Sequence, residues 1–348
     1  MHVARRSLSL LLVAGLALGG LAGCKTRGGA KGEGTGKAAQ TAAQPGEAAK
    51  SAFPMVHEDW AKLGYRLDWV SFPFGGVGRP IVRQLQAGSD LVIVQAQDST
   101  VAAMETATGR RRWATDLTGP NTKWVGVDRI GGDQGQVLVA SESELFGLAA
   151  GTGALQSRER FEYVINTRPV LVSNLLVAGT SVGRVQAHAI GRKLTAWAFM
   201  SNGAFESAPV LIGDTIAIVS QAGDVLFMNP TGNLMGRSRV FGAIDADPAT
   251  DGSSLFVASR DQSLWAFAPS GAVLWRHRTS NPLNHSPAFF NGMVYCDLGG
   301  EGFTAFDPVT GKPRWTTNKV HGNVIGTRNG RLLVRDEAGV SLVDTARG

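Results

Sequence analysis

The residues able to do chemistry are few and widely separated. The six histidines, His2, His57, His188, His277, His285 and His321, form no His-Glu-x-x-His pair for zinc, and no Cys-x-x-Cys-His is present to hold a haem. Neither a Gly-x-Ser-x-Gly elbow nor a P-loop occurs. Asp245, Asp247 and Asp251 alternate as calcium ligands would, but Pro248 interrupts them and the Gly and Glu of an EF-hand loop are missing. These residues therefore predict no cofactor and no metal, and a site assembled from several loops is the remaining route to catalysis. Of the two cysteines, Cys296 ends the strand-like run Gly292-Met293-Val294-Tyr295-Cys296 and reads as a buried, inert thiol. Cys24 stands at the end of an uncharged N-terminal run, where an exposed sulfur can be acylated.

That run defines a compartment. Arg5 and Arg6 precede a Leu/Ala/Gly-rich stretch from Ser7 to Gly23, the pattern of a secretory signal and too Gly-rich for a comfortable membrane span. Leu21-Ala22-Gly23-Cys24 resembles the lipobox of bacterial lipoproteins, which implies cleavage before Cys24 and its acylation. Acyl chains contribute about 0.8 kcal/mol per buried CH₂, so several of them hold a protein on a membrane. Lys25, where enteric lipoproteins retained at the inner membrane have Asp, favours the outer membrane of a bacterial envelope, with the domain facing the periplasm.

Residues 28–50 are almost all Gly, Ala, Gln, Thr and charge, without an aromatic or branched aliphatic side chain, and so read as a flexible tether. The expected organisation is a signal over 1–23, an acylated cysteine and tether over 24–52, and one folded domain over 53–348. Of 34 basic and 28 acidic residues, seven and two respectively precede residue 51, leaving 27 against 26. A nearly neutral domain is no nucleic-acid surface.

Internal repeats specify the fold that positions any site. Glycines at 109, 153, 191, 232, 271, 311 and 348 recur at intervals of 44, 38, 41, 39, 40 and 37. Trp113, Trp275 and Trp315 each follow such a glycine by four residues. Pro80, Pro169, Pro209, Pro248 and Pro287 keep the same period ahead of short apolar runs. In the sixth copy, strands are expected at Ser286–Phe290, Met293–Asp297, Gly302–Phe306 and Pro313–Thr317, parted by Gly-rich turns. Four strands per forty-residue unit predict an all-β, seven-bladed β-propeller of four-stranded antiparallel blades, with eight blades as the alternative count. The tryptophans then fill the space between blades. The last copy lacks its tryptophan strand, and the orphan Leu63–Val70 matches it, so an N-terminal strand over residues 66–71 is expected to complete the C-terminal blade.

These repeats resemble those of the pyrroloquinoline-quinone family of propellers over residues 64–348. That family includes quinoprotein dehydrogenases and the BamB-type lipoproteins of the outer-membrane β-barrel assembly machinery. A lipobox, a tether and a single propeller resemble the BamB type. The resemblance implies a scaffold that docks on a barrel-inserting protein through loops on one propeller face. It assigns partner binding to Asp245 and Asp247, which match an acidic Asp-x-Asp turn, and to Arg168 before Pro169. BamB has eight blades where the glycines here count seven, and Tyr163–Thr167 lacks the leucine of the family's docking loop. Turn aspartates stay open as the plain alternative for Asp245 and Asp247. Two other functions stay open: a ligand- or glycan-binding propeller using Lys123, Trp124, Arg168, Asn284, His285 or His321, and a quinoprotein-type oxidoreductase, for which the paired cysteines common among such enzymes are absent.

Overall fold

The computed structural model describes residues 57–74, 81–117, 122–132 and 135–348, so the lipobox, Cys24 and the tether lie outside the described residues. The chain divides into two compact units, Met1–Pro120 and Asn121–Gly348. The first holds helix α1 (His57–Lys62) and one sheet of β1 (Val82–Ala87), β2 (Leu91–Ala96), β3 (Thr100–Glu105) and β4 (Arg111–Asp116).

Among the described residues the second unit contains six sheets in chain order. It opens with β5 (Trp124–Ile130), β6 (Gln136–Ser141), β7 (Glu144–Ala149) and β8 (Leu155–Arg160). Next come β9 (Val170–Val172), β10 (Leu175–Gly179), β11 (Arg184–Ala189) and β12 (Leu194–Met200). The following sheet is β13 (Val210–Ile212), β14 (Thr215–Val219), β15 (Asp224–Met228) and β16 (Leu234–Arg239). Then come β17 (Ala249–Thr250), β18 (Leu255–Ser259), β19 (Ser263–Phe267) and β20 (Val273–Arg278). After them stand β21 (Ala288–Phe290), β22 (Met293–Asp297), β23 (Phe303–Phe306) and β24 (Pro313–Thr317). The last sheet has three strands, β25 (Asn323–Arg328), β26 (Arg331–Arg335) and β27 (Val340–Asp344). Every pairing is antiparallel between consecutive strands. Seven such sheets are the inventory of a seven-bladed propeller, so the count of seven stands over eight.

The middle strands are short apolar runs buried on both faces, as in β14, β15, β18 and β19. The resulting cores join consecutive sheets. Ala217, Val219, Val225 and Phe227 of one sheet pack with Leu255, Val257, Trp265 and Phe267 of the next. Each large apolar side chain fully buried this way stabilises the fold by about 1.5–3 kcal/mol.

The tryptophan positions follow a local rule. Between third and fourth strands, all six four-stranded sheets slip register at the same place: after Ala103, Gly147, Ala187, Phe227, Ala266 and Ala305. Such a bulge increases the twist of the outer strand. Trp197, Trp275 and Trp315 lie opposite the alanine before the slip. Each indole covers the glycine of the following sheet: Trp197 on Gly232, Trp275 on Gly311, Trp315 on Gly348. Each Nε1–H also donates to a carbonyl nearby, of Pro230, Pro308 and Thr345 respectively. Gly232 and Gly311 take φ of +87° and +67°, which lets the turn curl under the ring.

Where the tryptophan is missing, other devices close the gap. Glu159 on β8 lies 2.8 Å from His188 Nε2 on β11, both inside the core, and accepts from the Gly191 N–H at 3.0 Å. On β16, Gly236 lies so near the Ser270 carbonyl and the Gly271 nitrogen that no Cβ fits.

The expected closing strand is corrected. Residues 66–71 belong to no sheet, and the last sheet keeps three strands. Arg66 pairs with Asp68 two residues on, a local contact that does not extend into a ladder. Trp69 nonetheless makes the tryptophan seat: it covers Gly109, and its Nε1–H donates to the Thr106 carbonyl at 2.8 Å.

Candidate functional site

The segments leading into the first strands of four consecutive sheets share one design. Ile165–Pro169, Phe205–Pro209 and Ile244–Pro248 alternate in and out, with the first, third and fifth residues buried. In Leu283–Pro287 the first and fifth are buried. Proline is suited to the fifth position because the fixed φ starts an extended run without needing an N–H donor there. Turns of adjacent strands clamp the segments: the Ile165 N–H donates to the Glu142 carbonyl and the Asn166 N–H to that of Gly179, both at 2.8 Å.

A chain of hydrogen bonds ties these segments across all six sheets of the second unit. Lys123 Nζ donates to Asn166 Oδ1 at 2.6 Å, and Asn166 Nδ2 donates to the Phe205 carbonyl and to Glu206 Oε2, both at 2.9 Å. Ser207 Oγ donates to the Ala246 carbonyl at 3.2 Å, and the Asp247 N–H to Ser286 Oγ at 3.0 Å. The Ser286 N–H then donates to Asn323 Oδ1 at 2.8 Å.

On this frame the predicted residues sit at equivalent places. Arg168 and Asp247 each precede their proline by one residue, Asp245 precedes its proline by three, and all three are exposed. Arg168 Nη2 lies 3.3 Å from Asp128 Oδ1 and donates to the Val127 carbonyl at the same distance. Burial pushes the Asp128 carboxyl above its ordinary range, and the Arg168 guanidinium partly offsets this. Asp245 Oδ2 lies 3.4 Å from Arg260 Nη1. The Asp247 carboxylate faces solvent. The three residues thus lie on one series of segments.

Sequence reasoning missed Glu206, which occupies the same place as Asp245 one sheet earlier and is exposed. The proline period carried the signal, since both acids precede a proline by three. It also missed a convergence of histidines. His285 Nε2 and His321 Nδ1 lie 3.6 and 3.3 Å from the buried Asp297 carboxylate, which also accepts from the N–H groups of Gly299 and Gly322 at 2.9 and 2.6 Å. No group of three or more His, Cys, Asp or Glu among the described residues is arranged to hold a metal ion. Trp124 is corrected as a ligand contact: it is buried against Phe146, with ring centroids 5.7 Å apart.

Repeated antiparallel sheets, four of them with a glycine turn under a tryptophan, define a β-propeller of the pyrroloquinoline-quinone repeat class. The sequence profile described as outer membrane protein assembly factor BamB matches residues 75–229 and 221–347, and the chain belongs to that family. Among solved structures it is similar to BamB from Moraxella catarrhalis, at 19% identity and a TM-score of 0.61, covering 76% of this chain and 82% of that one. It is also similar to the computationally designed Ika8 protein, at 14% identity and a TM-score of 0.65, covering 78% of this chain and 86% of the other. At these identities the likeness establishes the fold. No curated protein sequence matches the chain.

Proposed function

We propose that this chain is a lipid-anchored envelope scaffold, acylated at Cys24, that binds another protein through the lead-in segments of its second unit and performs no catalysis. Membership of the BamB family supports the reading, and so does the hydrogen-bonded frame beneath Arg168, Glu206, Asp245 and Asp247. A docking surface gains affinity when its charged groups are held in place before the partner arrives. Here backbone anchors fix the charges while their heads stay in water. The partner is the periplasmic part of a barrel-inserting protein of the β-barrel assembly machinery, and the site is the outer membrane.

Mild crosslinking on membranes followed by pull-down tests this. The full chain is expected to capture a barrel-assembly protein. Because rim charges act mainly on encounter, R168A/D245A/D247A is expected to weaken capture about tenfold. Cys24→Ala is expected to move the chain to the soluble fraction in high salt. Undiminished capture by the triple variant overturns the docking assignment, and membrane retention of Cys24→Ala in high salt overturns the anchor.

A further inference from the structure

The outer strands carry a surface pattern separate from the lead-in segments. β8 reads Leu-Gln-Ser-Arg-Glu-Arg, β16 Leu-Met-Gly-Arg-Ser-Arg and β20 Val-Leu-Trp-Arg-His-Arg. Each begins with an exposed apolar residue and has exposed arginines at its fourth and sixth positions. β16 and β20 belong to consecutive sheets, and Gly236 brings them together, because its missing side chain lets β16 lie against Ser270 and Gly271 just ahead of β20.

The two strands form one patch. Leu234, Met235, Val273 and Leu274, exposed by 39, 59, 48 and 49%, occupy one end. Four arginines continue along both strands. Arg237 is taken by the buried Asp224 at 2.9 Å, while Arg276 lies 3.6 Å from Asp261 and 4.3 Å above the Trp265 ring. Arg239 and Arg278 have no acidic partner among the described residues, and neither strand contains a carboxylate. Phe241, two residues beyond Arg239, is 89% exposed, more than any other large apolar side chain among the described residues.

Arginines on an edge strand guard against unwanted strand addition. That role needs charge alone and leaves unexplained why apolar side chains stand exposed beside the charge on both strands. Guanidinium groups next to solvent-facing Leu, Met, Val and Phe are the composition of an interfacial membrane contact, in which charge meets headgroups and apolar tips enter the acyl boundary. We infer that the β16–β20 edge binds an anionic lipid surface, with Arg239 and Arg278 on headgroup phosphates and Met235, Leu274 and Phe241 in the interface. The patch shares no residue with the lead-in segments, so this contact and the proposed protein docking fail or hold separately.

The test uses residues 24–348 carrying Cys24→Ala, so that neither an acyl chain nor the apolar signal contributes, and flotation with vesicles of phosphatidylcholine alone or with about a third phosphatidylglycerol. Binding is expected on the anionic vesicles only and is expected to fall as salt rises. R239Q/R278Q is expected to weaken it about 30-fold, from about fivefold per arginine near the surface. M235S/L274S is expected to weaken it too. R331Q/R335Q removes the same charge on β26 and is expected to change binding less than about twofold, with circular dichroism showing that every variant folds. Equal binding to neutral vesicles, equal loss in the β26 variant, or undiminished binding of R239Q/R278Q overturns the assignment. So does heparin binding as tight as vesicle binding, which would mark a general polyanion surface.

Discussion

The seat of Trp275 on Gly311 can be measured in isolation. Gly311 has φ of +67°, and a Cβ added there would stand 2.5 Å from Trp275 Cδ2. The left-handed backbone costs alanine about 1–2 kcal/mol. The indole cannot retreat freely, because its Nε1–H donates to the Pro308 carbonyl at 2.7 Å and its ring packs on Phe256 and Phe306 at centroid distances of 5.9 and 6.3 Å. Overpacking of this kind costs about 1–3 kcal/mol, so Gly311→Ala is expected to destabilise by about 2–5 kcal/mol. Trp275→Ala is expected to cost about 3–5 kcal/mol through its cavity. In the double variant the added methyl meets the space the indole left, so only the backbone cost of Gly311→Ala survives. The double variant is therefore expected to lose about 1–3 kcal/mol less than the sum of the singles. Urea denaturation at neutral pH reads all four forms from their midpoints. Gly252→Ala supplies the backbone reference, since Gly252 has φ of +89° with nothing within 4 Å of its Cβ position. Additive singles, or a Gly311→Ala no more costly than Gly252→Ala, would refute the reasoning.

Two further outcomes concern buried groups. Burial alone would raise the Asp224 carboxyl, but the Ser201 hydroxyl, the Arg237 guanidinium and the Asn202 N–H together hold it below its ordinary range. Its folded value is thus depressed, so its stabilisation is present above about pH 4 and is lost as pH falls through the folded value. Asp224→Asn is expected to cost about 1–3 kcal/mol near neutral pH, with the difference from the parent shrinking in acid, and a difference constant with pH in urea titrations speaks against it. Cys296 is buried, and desolvation followed by the charge of Asp297 pushes its thiol far up. A thiol-reactive dye is expected to leave native Cys24→Ala protein unlabelled and to modify one thiol after denaturation, so rapid native labelling contradicts the burial.

Periodicity made the sheets readable because burial imposes it. The second and fourth strands expected in the sixth copy, Met293–Asp297 and Pro313–Thr317, are the strands observed. Its first begins two residues later than expected, at Ala288, because residues up to Pro287 belong to the lead-in segment. The bulge in the pairing of third and fourth strands was not readable, since a slip of backbone register is not specified by the side-chain types. Residues 66–71 failed for a related reason. Their resemblance to a tryptophan strand was real at the level of the side chain, and Trp69 makes the expected seat on Gly109. Strand pairing depends on backbone groups that the side-chain pattern does not report.

The same division governs the candidate site. In the segments ending at Pro169, Pro209, Pro248 and Pro287, the first and fifth residues are buried throughout and are apolar or proline. The outward pairs differ at every copy: Asn166 and Arg168, Glu206 and Ala208, Asp245 and Asp247, Asn284 and Ser286. A repeat search rewards what stays constant, and constancy here belongs to packing. Recognition has to reside in what varies, because only those side chains reach solvent without disturbing the core. Arg168, Asp245 and Asp247 were visible by their likeness to a family's loops, whereas Glu206 had to be found by its place in the series. Two outward side chains in each of these four segments, placed on a hydrogen-bonded frame, let the charge pattern of a docking surface change from sheet to sheet while the first and fifth positions stay buried and apolar.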